Sequence, residues 1–302
     1  MIASLLFILA ALTLGFAVWA FRFEVYRFRI RRYRLKPLKP LSKPLTFLHL
    51  SDIHFAGPDV KRDHFFDQLA LMEYDFVVLT GDIIDCDAGL ASAEMNLMKL
   101  KPRCGAYAVL GNHDYYNYMP SDMALHNFPG QKLPSRRNSL QRIEEMLQRS
   151  KVCLLRNHAV DVCQDGISLR IHGIDDPTTG RANVRQTMQG YTPEKINILL
   201  AHSIDVFLDI GDREIDLAFS GHSHGGQVCL PFFGPLVTHT MIGRDFAAGI
   251  KVLKGAICSV SRGVGTSRFL KLRFLCPPEA VLITLDENGL KLPPADPKRP
   301  VL

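Results

Sequence analysis

Thr46-Phe47-Leu48-His49-Leu50 runs without a break into Ser51-Asp52-Ile53-His54, and the same kind of junction recurs along the chain. Residues 76–79 run into Thr80-Gly81-Asp82, and 107–110 into Gly111-Asn112-His113-Asp114. Residues 196–200 run into Ala201-His202, and 217–219 into Ser220-Gly221-His222-Ser223-His224. Short apolar runs bounded by Gly, Asp or Ser read as buried strands. In open α/β sheets, ligands bind beyond the carboxyl ends of strands. Five strands therefore deliver Asp52, His54, Asp82, Asn112, His202, His222 and His224 to one rim, with His113 and Asp114 beside them.

Seven donors without a cysteine fit two cations, because a single zinc site takes three or four ligands and a structural one usually includes Cys. Mixed imidazole and carboxylate donors suit Mn, Fe, Zn or Co over Ca or Mg. Asp52 and His54 are two apart, as are His222 and His224. At a strand end that offset turns both side chains to one side, whereas on a helix they would diverge by roughly 200°. Two dications offset by two carboxylates and a bridging hydroxide leave about +1, a charge that attracts phosphate and stabilises an in-line displacement.

Asp-x-His, Gly-Asp, Gly-Asn-His-Asp, a lone His and Gly-His-x-His, in that order, resemble the calcineurin-like metallophosphoesterase superfamily over about residues 46–285. A second tract is similar to its membrane-associated or exported bacterial branch, which includes uncharacterised hydrolases and UDP-2,3-diacylglucosamine hydrolases of lipid A synthesis. It comprises Gly225-Gly226-Gln227-Val228, Pro231, Gly234-Pro235, Ser261-Arg262-Gly263-Val264-Gly265-Thr266-Ser267 and Arg273-Phe274-Leu275-Cys276-Pro277-Pro278-Glu279. The resemblance implies two mixed β-sheets packed face to face with helices outside. It implies one metal on Asp52, His54, Asp82 and His224, and a second on Asp82, Asn112, His202 and His222, with Asp82 bridging. Two divalent ions are expected, Mn before Fe or Zn, with a metal-bound hydroxide as nucleophile. His113 resembles the proton donor to the leaving oxygen, and Asp114 the residue that holds its ring.

Other polar residues receive plainer readings. His49, inside the first strand run, and His64, His126, His158, His172 and His239, outside every motif, read as surface or hydrogen-bonded structural histidines. Asp85 and Asp87 follow the Gly-Asp turn and read as a solvated loop, the alternative being a place behind the metal ligands. Asp175 and Asp176 read as turn chemistry before Pro177.

Residues 2–21 carry no charged side chain and are mostly apolar. At 1.5 Å per residue they reach about 30 Å, the hydrocarbon thickness of a bilayer. No basic region precedes them, so an uncleaved single-pass anchor at 1–21 is expected in preference to a signal peptide. Residues 22–44 hold six Arg and three Lys against Glu24 alone, a net +8. The positive-inside rule then places the catalytic domain on the cytoplasmic side of an inner membrane. Since the whole chain is +6, residues 45–302 carry −2. A near-neutral domain excludes a nucleic-acid surface and ties the basic charge to the membrane. Period-two alternation over 23–35 predicts an edge strand or a solvated linker, broken by Pro37, Pro40 and Pro44. Seven cysteines with no C-x-x-C agree with a reducing compartment.

The residues after Pro44 suffice for one α/β domain, with helices expected at 90–100 and 139–150 and a last strand at 280–285. Residues 117–138 interrupt the plan with a long segment mixing apolar and basic residues, expected to border the site beside His113, with a plain surface excursion as the alternative. The expected activity is hydrolysis of a phosphate ester or anhydride on a membrane-associated, lipid-linked substrate such as UDP-2,3-diacylglucosamine. The alternatives are a phosphodiesterase on soluble nucleotides and a metal-containing membrane scaffold without catalysis.

Overall fold

The computed structural model describes residues 2–125, 133–164 and 166–293. The first half of the chain supplies β1 (Arg29–Leu35), β2 (Leu45–Leu50), β3 (Phe76–Thr80), β4 (Gly105–Val109) and β5 (Val152–Leu154). The second half supplies β6 (His158–Gln164), β7 (Ile167–Gly173), β8 (Ile196–Leu200), β9 (Leu217–Ser220), the short pair β10 (Cys229–Leu230) and β11 (Gly234–Pro235), β12 (Gly249–Leu253) and β13 (Ala256–Val260). The last strand, β14 (Glu279–Leu285), returns to the first sheet, whose order is β1-β14-β2-β3-β4-β5. The second sheet runs β12-β13-β9-β8-β7-β6. Both are mixed: β2 to β5 and β7, β8, β9 and β13 are parallel runs, while β14–β2, β6–β7 and β12–β13 are antiparallel.

Side-chain alternation along β2 explains the layering. Leu45 and Phe47 point to the centre, where they meet Phe76, Val78, Ile198, Leu200, Phe219 and Ile283 between the sheets. Leu48 and Leu50 point outward and are covered with residues of α2 (Val60–Ala70), α3 (Leu90–Leu97) and α6 (Leu140–Arg149). The outer face of the second sheet buries Leu199, Ala218 and Cys258 under Ile204, Phe207 and Ile210. The helices expected at 90–100 and 139–150 form with slightly tighter bounds, and Ser139 stands at the amino cap of α6. The seven cysteines are free thiols.

Two parts of the chain differ from their sequence reading. The apolar amino terminus forms α1 (Ile2–Val18), 17 residues, then widens into a π-type turn at Trp19–Phe23 and a 3-10 turn at Glu24–Tyr26. Among the described residues no helix is long and apolar enough to cross a membrane. The regular helix ends early because the chain docks: Ala20, Glu24 and Val25 are buried, and the Ala20 carbonyl accepts from Arg273 N–H. The basic segment then supplies β1, paired in parallel with all seven residues of β14 at the edge of the sheet. In the 117–138 segment, Pro120–Leu125 forms α5, whereas 126–132, with His126, Phe128 and Lys132, lie outside the described residues.

His49 sits between the sheets, with Nδ1 at 3.1 Å from Ser259 Oγ and Nε2 at 2.9 Å from Thr80 Oγ1. Burial depresses its pKa from 6.5 to about 3. Folded His49 thus stays neutral where the unfolded chain would protonate it. Its contribution to stability is complete above pH 6.5 and is lost as pH falls toward 3. The urea midpoint of the chelator-treated chain should fall more steeply from neutral pH to about pH 5 than that of His49→Phe, even though the variant is less stable throughout. Parallel slopes would show that His49 is protonated inside the fold.

Candidate metal centre

The donors sit where the parallel strands stop, and their backbone is unusual. Asp52, His54, Asp82, His222 and His224 all have φ between 48° and 67°. Non-glycine residues rarely occupy this left-handed region, and each such residue stores of order 1 kcal/mol or more. The loops hold one another in place: Asp52 N–H donates to Gly81 O (3.0 Å), His54 N–H to Asp82 O (2.9 Å) and Gly221 N–H to His202 O (2.9 Å). The Asp52 carboxylate accepts His222 N–H with both oxygens at 3.1 Å. Gly81, at φ +88°, leaves no room for a side chain, since a Cβ there would lie 2.6 Å from Gly111 N and 2.7 Å from His202 Nδ1.

Six of the seven expected donors converge as two groups around Asp82. Asp82 Oδ2 is 3.5 Å from His54 Nε2 and 3.5 Å from His202 Nε2. On one side His54 Nε2 faces His224 Nε2 at 3.2 Å, and His224 Nε2 lies 3.6 Å from Asp52 Oδ1. Asp52, His54, Asp82 and His224 thus bring one ligand atom each within 4.8 Å of the others. On the other side His202 Nε2 faces His222 Nδ1 at 3.2 Å. Asn112, at the start of α4 (Asn112–Tyr115), lines the same cavity, and its buried Oδ1 has no hydrogen-bond partner. Imidazole nitrogens aimed at one another across a carboxylate, with an orphaned amide oxygen nearby, are a donor set for divalent cations.

The electrostatics fit the same group. Burial pulls His202 down, but Asp82 and Asp52 raise it well above its ordinary value, so the field there favours positive charge. Burial pushes Asp82 up, yet His202, His113 and His54 hold it well below the usual carboxylate range. Ring orientation is fixed from behind: His202 Nδ1 is 2.8 Å from Thr80 O, and His54 Nδ1 is 3.2 Å from Asp85 Oδ1. Both therefore present Nε2 to the site.

Asp114 does not hold the His113 ring. Its carboxylate accepts Gly111 N–H at 2.9 Å and Ile84 N–H at 3.0 Å, closing the turn at the start of α4, and burial raises it to about 7. The residue beside the ring is Asp85, whose Oδ1 lies 2.9 Å from His113 Nδ1, off the ring's hydrogen-bond axis. Asp85 is buried, not solvated, and its Oδ2 takes the Arg268 guanidinium at 3.0 Å. Arg268 in turn reaches Asn117 and the Tyr118 carbonyl, and the Tyr118 ring stacks obliquely on His113 at 4.5 Å. Burial lowers His113, but Asp82 and Asp85 outweigh it and its pKa is raised. Asp87 caps the other side, accepting Ser139 N–H at 2.9 Å. His64 and His158 are exposed, and His172 is buried on Asn197 Oδ1 at 3.0 Å. His239 lines the cavity. Asp176 makes the expected turn with Thr178 and Thr179, while Asp175 accepts from Tyr115 Oη at 2.6 Å.

The second sequence tract is a clamp beneath this centre. Arg273 is fully buried and donates to the carbonyls of Arg262 and Gly265 at 2.7 Å and Cys276 at 3.0 Å. The clamped loop returns Val264 N–H to Ser51 O and Gly265 N–H to Asp52 O. Glu279 closes the clamp on Arg262 at 2.8 Å. No single motif marks Asp85, Arg268 or Tyr118; each is placed by contacts distant in sequence.

Two facing mixed sheets with His and Asp donors at their parallel strand ends define a metal-dependent hydrolase of the metallophosphoesterase class. Residues 45–226 match the calcineurin-like phosphoesterase family model, and the chain belongs to that family. It is 31% identical over 195 residues to the uncharacterised metallophosphoesterase YkoQ of Bacillus subtilis, covering 64% of this chain and 65% of that protein. It is 31% identical over 219 residues to YkuE of the same organism, also uncharacterised, covering 71% and 69%. It is 27% identical over 278 residues to the UDP-2,3-diacylglucosamine pyrophosphatase LpxG of Chlamydia trachomatis, covering 79% and 83%.

Gly81→Ala should cost about 2 kcal/mol through its left-handed backbone and lower bound metal measured by elemental analysis, although Gly81 offers no donor. Unchanged metal content would show that the loop relaxes around the methyl group. Asp85→Asn should lower kcat with little change in KM and move the alkaline limb of the pH–rate profile to lower pH, because Asp85 helps to keep the proton donor His113 protonated. An unchanged profile would remove Asp85 from the positioning of His113.

Proposed function

We propose that the protein is a dinuclear hydrolase that cleaves a phosphate ester or anhydride of a membrane-associated, lipid-linked substrate. The observation that carries the dinuclear part is Asp82 Oδ2, equidistant at 3.5 Å from His54 Nε2 and His202 Nε2. Asp52, His54, Asp82 and His224 would hold one ion, and Asp82, Asn112, His202 and His222 the other; the imidazole–carboxylate mixture favours Mn²⁺, Fe or Zn over Ca²⁺ or Mg²⁺, and Mn²⁺ is the ion we assign. The ions, when bound, supply an activated water and offset the charge of the phosphate. The protein's own part is positional. His113, raised in pKa beside Asp82 and Asp85, is set to give a proton to the leaving oxygen. Asp85 and Arg268 hold the wall on which His113 rests.

The substrate part is supported by the cavity. It measures about 400 Å³ and runs from His54, Asp82, Asn112 and His113 to a wall of Val228, Leu236, Val237, Leu270 and Leu272. An acyl chain matches a wall of five aliphatic side chains along its whole length, whereas a soluble nucleotide has only the faces of its base to set against it. The similarity to LpxG, whose name gives a diacylated UDP-sugar, points the same way. We place the protein at a cytoplasm-facing inner membrane on the net +8 that follows α1.

Asp82→Asn should abolish turnover and reduce bound metal from two ions per chain, because it weakens the one ligand shared by both groups. Near-wild-type activity would defeat the dinuclear reading. With Mn²⁺ supplied, the wild type should hydrolyse an acylated UDP-sugar faster than a soluble nucleotide diester. The reverse order would assign the site to soluble nucleotides.

A further inference from the structure

The apolar wall of the cavity does not end inside the protein. Leu236, Val237 and Leu270 line the cavity and are also exposed on the outer surface. They lie on two segments bound edge to edge: Cys229 N–H donates to Phe274 O at 2.8 Å and Phe274 N–H to Gln227 O at 2.9 Å. On the far side of the 272–275 segment lies the end of α1, through Arg273 N–H to Ala20 O and the Phe16–Phe274 ring contact at 4.7 Å. On its near side the chain continues into the β10–β11 hairpin, whose tip carries Phe232 and Phe233, the former fully exposed.

These contacts make one continuous belt: α1, then 269–275, then the hairpin, with exposed Phe16, Leu275, Leu230, Phe232 and Phe233 along it. The hairpin tip is held in shape, since the Arg244 guanidinium grips the carbonyls of Phe233 and Pro235. Fixed, solvent-facing phenylalanines are costly in water, and contiguous apolar surface of this kind marks an interaction site. The charges beside the belt select the partner. Exposed Arg22 and Arg27 follow α1, and exposed Lys271 sits between Leu270 and Leu272, with no acidic residue from 265 to 278. A cationic collar around an aromatic, aliphatic face matches anionic headgroups over acyl chains.

We propose that the Phe232–Phe233 hairpin tip, with Leu270, Leu275 and the exposed side of α1, enters the acyl boundary of an anionic lipid surface, so that the cavity opens sideways into lipid. The substrate then slides from lipid along Leu270, Leu236 and Val237 to the metal centre without crossing water. This deepens the membrane part of the proposed function, and it is tested by a readout separate from catalysis.

The full chain carrying Trp19→Phe and Phe233→Trp, reconstituted into phosphatidylethanolamine–phosphatidylglycerol vesicles, has its single indole at the hairpin tip. The expected result is blue-shifted emission, quenched by lipids brominated near the headgroup end of the chain. Emission typical of water, with no quenching, would overturn the proposal and leave α1 as the membrane contact. Blue-shifted emission that brominated lipid does not quench would overturn it in favour of packing against a second copy. As a second measurement, Phe232→Ser/Phe233→Ser should raise KM several-fold for an acylated substrate in vesicles and leave hydrolysis of a soluble aryl phosphodiester unchanged. Equal KM for the vesicle substrate would overturn the lateral entry route. If no acylated substrate is turned over at all, the quenching result still decides the surface, and only the substrate reading fails.

Discussion

Everything at the site is arranged around the carboxylate of Asp82. It is buried at the end of β3, the strand flanked by β2 and β4, with one oxygen accepting His113 N–H at 2.8 Å and the other facing His54 and His202. A carboxylate so deep in the protein is expensive unless positive charge is supplied from several directions. The surrounding histidines come from both sheets, so the charge at Asp82 draws the ends of the two layers together. His54 arrives from the first sheet, and His202 and His222 from the second. The core between the sheets sets their spacing, and Asp82 sets what that spacing is for.

The cost of this arrangement is stored in the backbone. Five donors sit at positive φ, a conformation that costs a side-chain-bearing residue energy wherever it occurs. It persists because the strands behind are fully buried and the loops in front are cross-bonded, so no donor can relax alone. The clamp of Arg273 and Glu279 on residues 262–265 serves the same end from below. A guanidinium that is wholly buried against carbonyls, with no carboxylate among the described residues hydrogen-bonded to it, is tolerated because its N–H groups satisfy those buried acceptors.

The layers and the donors were legible in the sequence because both follow from short-range patterns. Strand runs ending in Gly, Asp or Ser reveal where chains stop, and parallel strands must stop at the same rim. Asp85 was only half legible: three residues past Asp82, it could be read as standing behind the ligands or as solvated, and only the packing of Arg268 and His54 against it decides. Asp114 misled for the opposite reason. Its place after His113 invites a side-chain partnership, but a residue at the third helical position is better placed to satisfy the free N–H groups at the helix start. The amino terminus reads as a simple apolar span, yet docking of Ala20 and Val25 reshapes its last turns. Nothing local in Trp19–Phe23 signals that contact.

The pairing of β1 with β14 has a mechanical meaning. Between the end of Glu24–Tyr26 and the first residue of β1 there are only Arg27 and Phe28, and Phe28 stacks on Phe65 of α2 at 4.7 Å. The helix is thus joined to the catalytic layers without a tether. Whatever holds α1 also fixes the height and heading of the metal centre, as a rudder post fixes the rudder.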